Sequence, residues 1–432
     1  MQILWLKSDL LLPLDKGGKL RTWHLMRYLA REHRITYLAF AEPDVSAASI
    51  EGMHEVAAEI VTIPRRDPVK RSPAFFADVL YRLLDPLPYA VGKYRSRAYR
   101  AAIERLLRTR DFNLIVCDFL PPAVNLPSRL PCPAVLFTHN VESDIWRRHA
   151  ETARGPLAAV YRSQWRRMSR FEGRALARFD RVLVVSDADR DTFARLYPET
   201  RTRPVDVVAT GVDTSYFAPA QSPPSSRELV FTGSMDWLPN EDAMLHFCRT
   251  ILPLVRAEEP DTRLTIVGRA PTPPVRRLAG TGVTVTGRVE DVRPYLDAAA
   301  VVVVPLRIGG GTRLKIFEAM AMGKAVVSTT VGAEGLPVTH DRDLLLADDP
   351  PAFAAAVVQL LRDVPRRRAM EAAARAHVVA RHDWAVVSRD LDAALRAAAD
   401  GASRSRSTGT TAPREANRIP SSVANSATPR GL

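Results

Sequence analysis

The chain has 432 residues, of which 46% are apolar and 25% charged, and it carries a formal charge of +13. That length exceeds one ordinary core and points to two domains, and the composition excludes collagen-like and wholly disordered chains. Cys117, Cys132 and Cys248 are too few and too scattered for a disulfide framework, and there is no Cys-x-x-Cys pair for a zinc ribbon.

At the N-terminus the first apolar run stops at Lys7, with Asp9 and Asp15 following, unlike a secretory signal. Short β-branched runs then recur: Ile3–Leu6, Ile35–Phe40, Ile60–Ile63, Leu114–Cys117, Ala134–Phe137, Val182–Val185 and Val205–Val208. Most are continuous rather than alternating, which suits strands covered on both faces. Helical patterns separate them, among them Leu20–Arg31 and Asp187–Leu196. The aromatic and basic segment Ala74–Leu107 reads as a core helix followed by a solvated basic helix, or as a membrane-interface element. The Arg-rich stretch Arg147–Arg178 reads as one long solvated helix, or as a contact for anionic lipid.

The stretch Ala218–Arg227, APAQSPPSSR, loses all apolar periodicity and reads as a linker. Strand runs resume at Leu229–Thr232, Leu264–Val267, Val283–Val285, Val301–Val304, Ala325–Ser328 and Leu344–Leu346, with helical patterns at Asn240–Arg256, Thr312–Met322 and Pro351–Leu361. Repeated strand, helix, strand units predict an α/β chain of two doubly wound parallel sheets. The expected organisation is a domain over 1–217, a linker over 218–227 and a second domain over 228–382. A helix over 383–399 is expected to cross back to the first domain. The tail 400–432, rich in Ser, Thr, Ala and Arg, is expected to be disordered.

The most informative stretch is PLRIGGGTRLKIFEAMAMGKAVVSTTVGAEG, from Pro305 to Gly335. A strand leads into Gly309, Gly310 and Gly311, and Thr312 is placed to cap a following helix. Glycines let a backbone approach an anion, and a helix N-terminus presents free N–H groups. Arg313 and Lys315 in a first helical turn oppose the helix dipole, which makes sense if a diphosphate sits there. Glu318 follows at i+3 from Lys315, placed for ribose hydroxyls. Asp187-Ala-Asp189 follows a strand and reads as a helix cap rather than a metal motif.

These residues resemble the donor domain of the family-four glycosyltransferases, in particular the subgroup with a Gly-Gly-Gly-Thr-Arg loop. Phe231-Thr-Gly233-Ser234, Ile266-Val-Gly268 and Val285-Thr-Gly287 resemble successive strand ends of that domain. Asp15-Lys16-Gly17-Gly18-Lys19 resembles the glycine loop that faces the nucleotide sugar, and Thr138-His139-Asn140 the active-site strand end. Val185-Ser186, Gly211-Val212-Asp213 and Phe217 match landmarks before the linker.

The resemblance implies the GT-B fold, two Rossmann-like domains facing across a cleft. It also implies transfer, with retention, of a sugar from a nucleoside diphosphate to a glycan or lipid-linked acceptor in polysaccharide or glycoconjugate biosynthesis. His139, Arg313 and Lys315 are the implied catalytic positions. Gly17, Gly18, Gly233, Ser234, Gly309, Gly310, Gly311, Thr312 and Glu318 are implied to bind the donor. The chain departs from the family at Gly310, where a carboxylate usually contacts the donor sugar. It also departs at Ser234 and Asn240, near which many members carry Arg and Lys. Arg313 and Lys315 are expected to supply that charge, with no metal or other cofactor implied.

The charge excess favours anionic partners. A peripheral contact with an anionic membrane from the cytoplasmic side is expected, and nucleic acid is not, because no recognition module accompanies the charge. A catalytically impaired GT-B binding module and a non-hydrolysing nucleotide-sugar epimerase are the alternative readings.

Overall fold

The computed structural model describes residues 1–14, 17–69, 72–198, 203–219, 227–308 and 314–407, with side chains to 401. Every run read as a strand forms one. The first domain contains β1 (Gln2–Leu6), α1 (Gly17–Leu29), β2 (Arg34–Ala41), α2 (Ala47–Gly52), β3 (Glu59–Pro64), α3 (Pro73–Leu83), α4 (Tyr89–Gly92) and α5 (Arg97–Thr109). It continues through β4 (Leu114–Asp118), β5 (Ala134–Phe137), α6 (Glu142–Thr152), α7 (Pro156–Leu176), β6 (Arg181–Val184), α8 (Asp187–Leu196) and β7 (Val205–Val207). Its sheet has the order β3-β2-β1-β4-β5-β6-β7 and is parallel throughout the described residues.

The second domain begins with β8 (Glu228–Thr232), α9 (Leu238–His246), α10 (Leu252–Glu258), β9 (Arg263–Val267), α11 (Pro273–Arg276), β10 (Val283–Gly287), α12 (Arg293–Ala298) and β11 (Val301–Val304). There follow α13 (Leu314–Ala321), β12 (Ala325–Ser328), β13 (Leu345–Leu346), α14 (Pro350–Arg362), α15 (Val364–Arg381) and α16 (Trp384–Ser407). Its sheet order is β10-β9-β8-β11-β12-β13, again parallel. The four valines of β11 are all fully buried, as a strand covered on both faces requires. Two doubly wound sheets of this kind constitute the GT-B fold.

In each sheet the strand order reverses once, between β1 and β4 and between β8 and β11. Ligand crevices in open α/β sheets form at such points, outside the carboxyl ends of the strands. The helix α16 leaves the second domain and packs on the first. Trp384, Val387, Leu391 and Leu395 join the same core cluster as Trp5 and Leu25, and His33 Nε2 lies 2.6 Å from Asp392 Oδ1. The helix runs on to Ser407, beyond the expected end at 399 and into the stretch expected to be disordered.

Three helical expectations change in detail. The run expected over Asn240–Arg256 is α9 and α10 joined by a π-helical stretch, Phe247–Ile251. Pro253 explains the wider turn, since its ring crowds the carbonyl four residues earlier and it donates no hydrogen bond. The stretch Arg147–Arg178 is two helices, α6 and α7, separated at Gly155 and Pro156. It is not merely solvated, for Gln164, Met168, Glu172 and Leu176 are buried. The helix expected in the core, α3, has no buried residue.

Candidate functional site

The carboxyl ends of β1 and β4 carry a dense buried network. Leu6 pairs with Cys117, so Lys7 and Asp118 come next, side by side at the switch point. Asp118 is fully buried. Its carboxylate accepts from Lys7 Nζ at 2.8 Å, Thr22 Oγ1 at 2.7 Å, Trp5 Nε1 at 3.1 Å and His139 Nε2 at 2.8 Å. Burial alone would raise its pKa, but the Lys7 ammonium and the His139 contact outweigh burial and hold it well below the usual carboxylate range.

Burial pushes the His139 ring down to about 4, against the pull of Asp118. The ring is therefore neutral at pH 7. An ionised carboxylate only accepts, so Nε2 carries the proton and Nδ1 keeps its lone pair. Phe119 stacks on His139 with centroids 3.8 Å apart, and Lys7 Nζ lies 4.4 Å from the same ring. Phe119 has φ 72, a strained value for a bulky residue. Its ring fills the space beside Gly18, where a Cβ would come within 2.9 Å. Gly17 and Gly18 open α1, and a Cβ on Gly17 would lie 3.6 Å from Leu314 of the second domain. Two helix starts thus face each other across the interface.

On the other side, Gly233 follows β8 with φ +157 and no room for a side chain. A Cβ there would lie 2.7 Å from Lys315 Nζ and from Asn240 Nδ2. Lys315 donates to Asn240 Oδ1 at 2.9 Å, and its Nζ sits 4.0 Å from the centre of the Phe231 ring. Asn240 in turn donates to the Ser234 carbonyl at 2.8 Å, which holds the turn after β8 open. One helical turn beyond Lys315, the carboxylate of the half-buried Glu318 makes no hydrogen bond to a described residue. Burial, partly opposed by Lys315, pushes its carboxyl up to about 7. Gly309, Gly310, Gly311, Thr312 and Arg313 lie outside the described residues, as do Asp15 and Lys16.

Sequence reasoning named His139, Gly17, Gly18, Gly233, Ser234, Lys315 and Glu318; the structure puts the first six at a strand end or helix start by these switch points and Glu318 in the second turn of α13. It missed Lys7, Thr22 and Asp118. Asp187 and Asp189 do not cap α8. Ser186 does, accepting from the Asp189 amide at 3.1 Å, because it holds the N-cap position while both aspartates already lie in the first helical turn. Lys19 reaches the Pro13 carbonyl at 3.3 Å. Glu334 lies 3.4 Å from Arg148 of α6, an ion pair between the domains.

Residues 16–216 match the family described as Glycosyltransferase Family 4, and residues 226–363 match Glycosyl transferases group 1. One match covers most of the first domain and the other most of the second, so each half of the chain resembles a glycosyltransferase domain. It is 29% identical over 256 residues to the phosphatidyl-myo-inositol mannosyltransferase of Mycolicibacterium smegmatis, covering 56% of this chain and 65% of that one. It is 30% identical over 207 residues to a GDP-mannose-dependent monoacylated alpha-(1-6)-phosphatidylinositol monomannoside mannosyltransferase of Corynebacterium glutamicum, covering 42% and 53% respectively. The matched stretches span between 37% and 65% of the curated relatives' length. Among solved structures, Anabaena Alr3699/HepE in complex with UDP superposes with a TM-score of 0.65 at 14% identity, over 92% of this chain and all of that one. That likeness establishes the fold.

Proposed function

We propose that this chain transfers a sugar from a nucleoside-diphosphate donor to a glycan or lipid-linked acceptor, with retention, in polysaccharide or glycoconjugate assembly. The observation that carries this reading is the placement of Lys315. Its ammonium packs over the bare backbone of Gly233, at the switch point of the second sheet and in the first turn of α13. A cation there disfavours the helix alone and favours an anion at its N-terminus. The Glu318 carboxylate, without a hydrogen bond to a described residue, suits the paired hydroxyls of a ribose, which donate to its ionised form. The mannosyltransferase relatives and the UDP complex of the structural neighbour support this donor class and a lipid-linked acceptor.

In the reaction the bond between the anomeric carbon and the diphosphate oxygen breaks, and the acceptor oxygen bonds to the same carbon on the same face. The acceptor proton passes to the departing phosphate oxygen. Lys315, Arg313 and the α13 amides stabilise the charge that develops on the leaving group. His139 offers its Nδ1 lone pair to a sugar hydroxyl and needs no change of protonation. Closure of the domains excludes water, so that transfer outpaces hydrolysis. No protein nucleophile and no resident metal is required.

The test is calorimetric titration with UDP, GDP, ADP and dTDP, then incubation of the matching nucleotide sugar with lipid extracts. One nucleotide is expected to bind, and labelled sugar to appear in product with its configuration kept. Absence of binding by every nucleotide defeats the proposal.

A further inference from the structure

Arg21 is a buried cation without a counter-ion. It lies one turn into α1, past Gly17 and Gly18, and is 3% exposed. Its guanidinium makes no ion pair with a described residue. Nη2 donates to the Val208 carbonyl and, at 3.3 Å, to the Ala209 carbonyl, while Nη1 lies 3.3 Å from Thr210 Oγ1. The buried Nε has no acceptor. Burial lowers the pKa of the group, yet it stays charged at neutral pH. Sealing a charge from water is costly unless a group of opposite sign offsets it. Three neutral oxygens do so poorly, and an uncharged amide would tie α1 to the chain after β7 just as well.

The surroundings of the guanidinium lead to His139. Its carbon lies 4.7 Å from the centre of the Phe137 ring, and that ring touches His139 with centroids 4.9 Å apart. The same arrangement recurs through Phe119, which stacks on His139 and carries the Lys7 ammonium. The imidazole therefore touches two rings, and each ring holds a fixed cation. A ring face ordinarily attracts a cation, and both rings here already have one. The charged groups around the imidazole are Lys7 after β1, Arg21 on α1 and Asp118 at the end of β4. Asp189, at the start of α8, acts on Arg21 from beyond ion-pair distance and is held by the Ser186 hydroxyl. Lys7 and Asp118 balance each other, so Arg21 is in excess. A protonated His139 would be a third buried cation facing one buried carboxylate.

From this arrangement we infer that Arg21 is a positioning residue for His139: its charge keeps a second proton off the ring, so that Nδ1 presents a lone pair and never an N–H. The inference deepens the sugar-transfer reading and rests on it for the group that Nδ1 meets, a sugar hydroxyl. A carboxylate bonded to an imidazole by itself promotes the imidazolium. With Arg21 and Lys7 in place, Asp118 holds the Nε2 proton and fixes the tautomer without drawing another. An imidazolium would donate from both nitrogens and accept from neither.

The test is titration of the full chain carrying isotope-labelled histidine, followed by nitrogen resonances, with no nucleotide present. Wild-type His139 should stay neutral, with its proton on Nε2, down to about pH 5. Arg21→Gln keeps donors for the Val208 and Ala209 carbonyls but no charge, and should raise the His139 midpoint by about one pH unit. Arg21→Lys keeps the charge and gives up the planar fork, and should move the midpoint by less than half as much. A tie that acted through structure alone would be loosened by both variants and would move both midpoints alike. Equal shifts therefore overturn the proposal, as does an unmoved midpoint in Arg21→Gln. The wild-type chain decides without substitution: a midpoint at or above the ordinary value of about 6.5, or a proton on Nδ1, refutes the assignment. An Arg21→Gln chain that fails to fold makes the residue a structural tie and overturns it too. Because these titrations contain no nucleotide, they leave the sugar-transfer reading to its own test.

Discussion

The two switch points are built in opposite ways. At the first, the Asp118 carboxylate takes four donors, and Lys7, Thr22 and His139 are buried around it. At the second, Lys315 leans on a bare glycine turn, and the carboxylate of the half-buried Glu318 has no described hydrogen-bond partner. A finished network has a fixed geometry before any ligand arrives. An under-partnered carboxylate beside an ammonium is completed by what binds there. The first domain thus presents a rigid wall and the second a socket.

The sharpest way to break this contrast is to remove Asp118. Asp118→Ala leaves the Lys7 ammonium buried without a counter-charge and should lower unfolding stability by about 3–5 kcal/mol. Chemical denaturation measures it, and a further Lys7→Met substitution should restore most of the loss. A cost below about 1 kcal/mol would mean that the wall is not organised around this carboxylate.

Removing Lys315 tests the socket. Lys315→Ala should weaken nucleotide-diphosphate binding by roughly tenfold or more, as expected for a lost charge-assisted contact, with little change in melting temperature. Unaltered affinity would detach this side chain from the donor.

Glu318 allows a finer test because its two roles have opposite signs. The folded-state pKa near 7 exceeds the ordinary 4.5, so the folded chain holds a proton that the unfolded chain releases. Stability therefore falls as pH rises from about 4.5 to 7, and the penalty is complete above that. Glu318→Gln should stabilise the free protein by about 1–3 kcal/mol at pH 8 and by nothing at pH 4. The same variant should bind nucleotide more weakly, and wild-type affinity should climb between pH 6 and 8, since ribose hydroxyls donate to the ionised carboxylate. Thermal melts and titrations at both pH values decide it.

The smallest effect belongs to the exposed pair between Arg148 and Glu334. Glu334→Gln should change stability by less than about 1 kcal/mol, and a larger loss would make this contact part of the closed interface.

The fold was legible because buried parallel strands write themselves as unbroken apolar runs. Val301–Val304 and Ala134–Phe137 keep their expected bounds in the structure. Lys315 was named from its place beside a glycine run in the sequence, and the structure sets it against Gly233, a glycine 82 positions earlier. The wall was not legible. Lys7, Thr22, Asp118 and His139 are separated by up to 132 positions, and each alone looks like an ordinary end of a strand or turn of a helix. One signal was available: Lys7 directly follows the first strand and Asp118 ends the fourth, and a doubly wound order sets those two ends side by side. The outward side of α3 was hidden for another reason. An apolar stripe at helical spacing is the same in sequence whether it faces a core or the outside.

The two passages of chain between the domains run in contact. The Val212 amide donates to the His382 carbonyl at 2.7 Å, and the Trp384 amide returns a bond to the Val212 carbonyl at 3.2 Å. Trp384 packs flat over Gly211, where a Cβ would be 2.4 Å from its ring, and stacks on His24 of α1. The two crossings are thus laced into one joint, and a bulkier residue at position 211 would push Trp384 out of it and off the α1 helix on which it stacks.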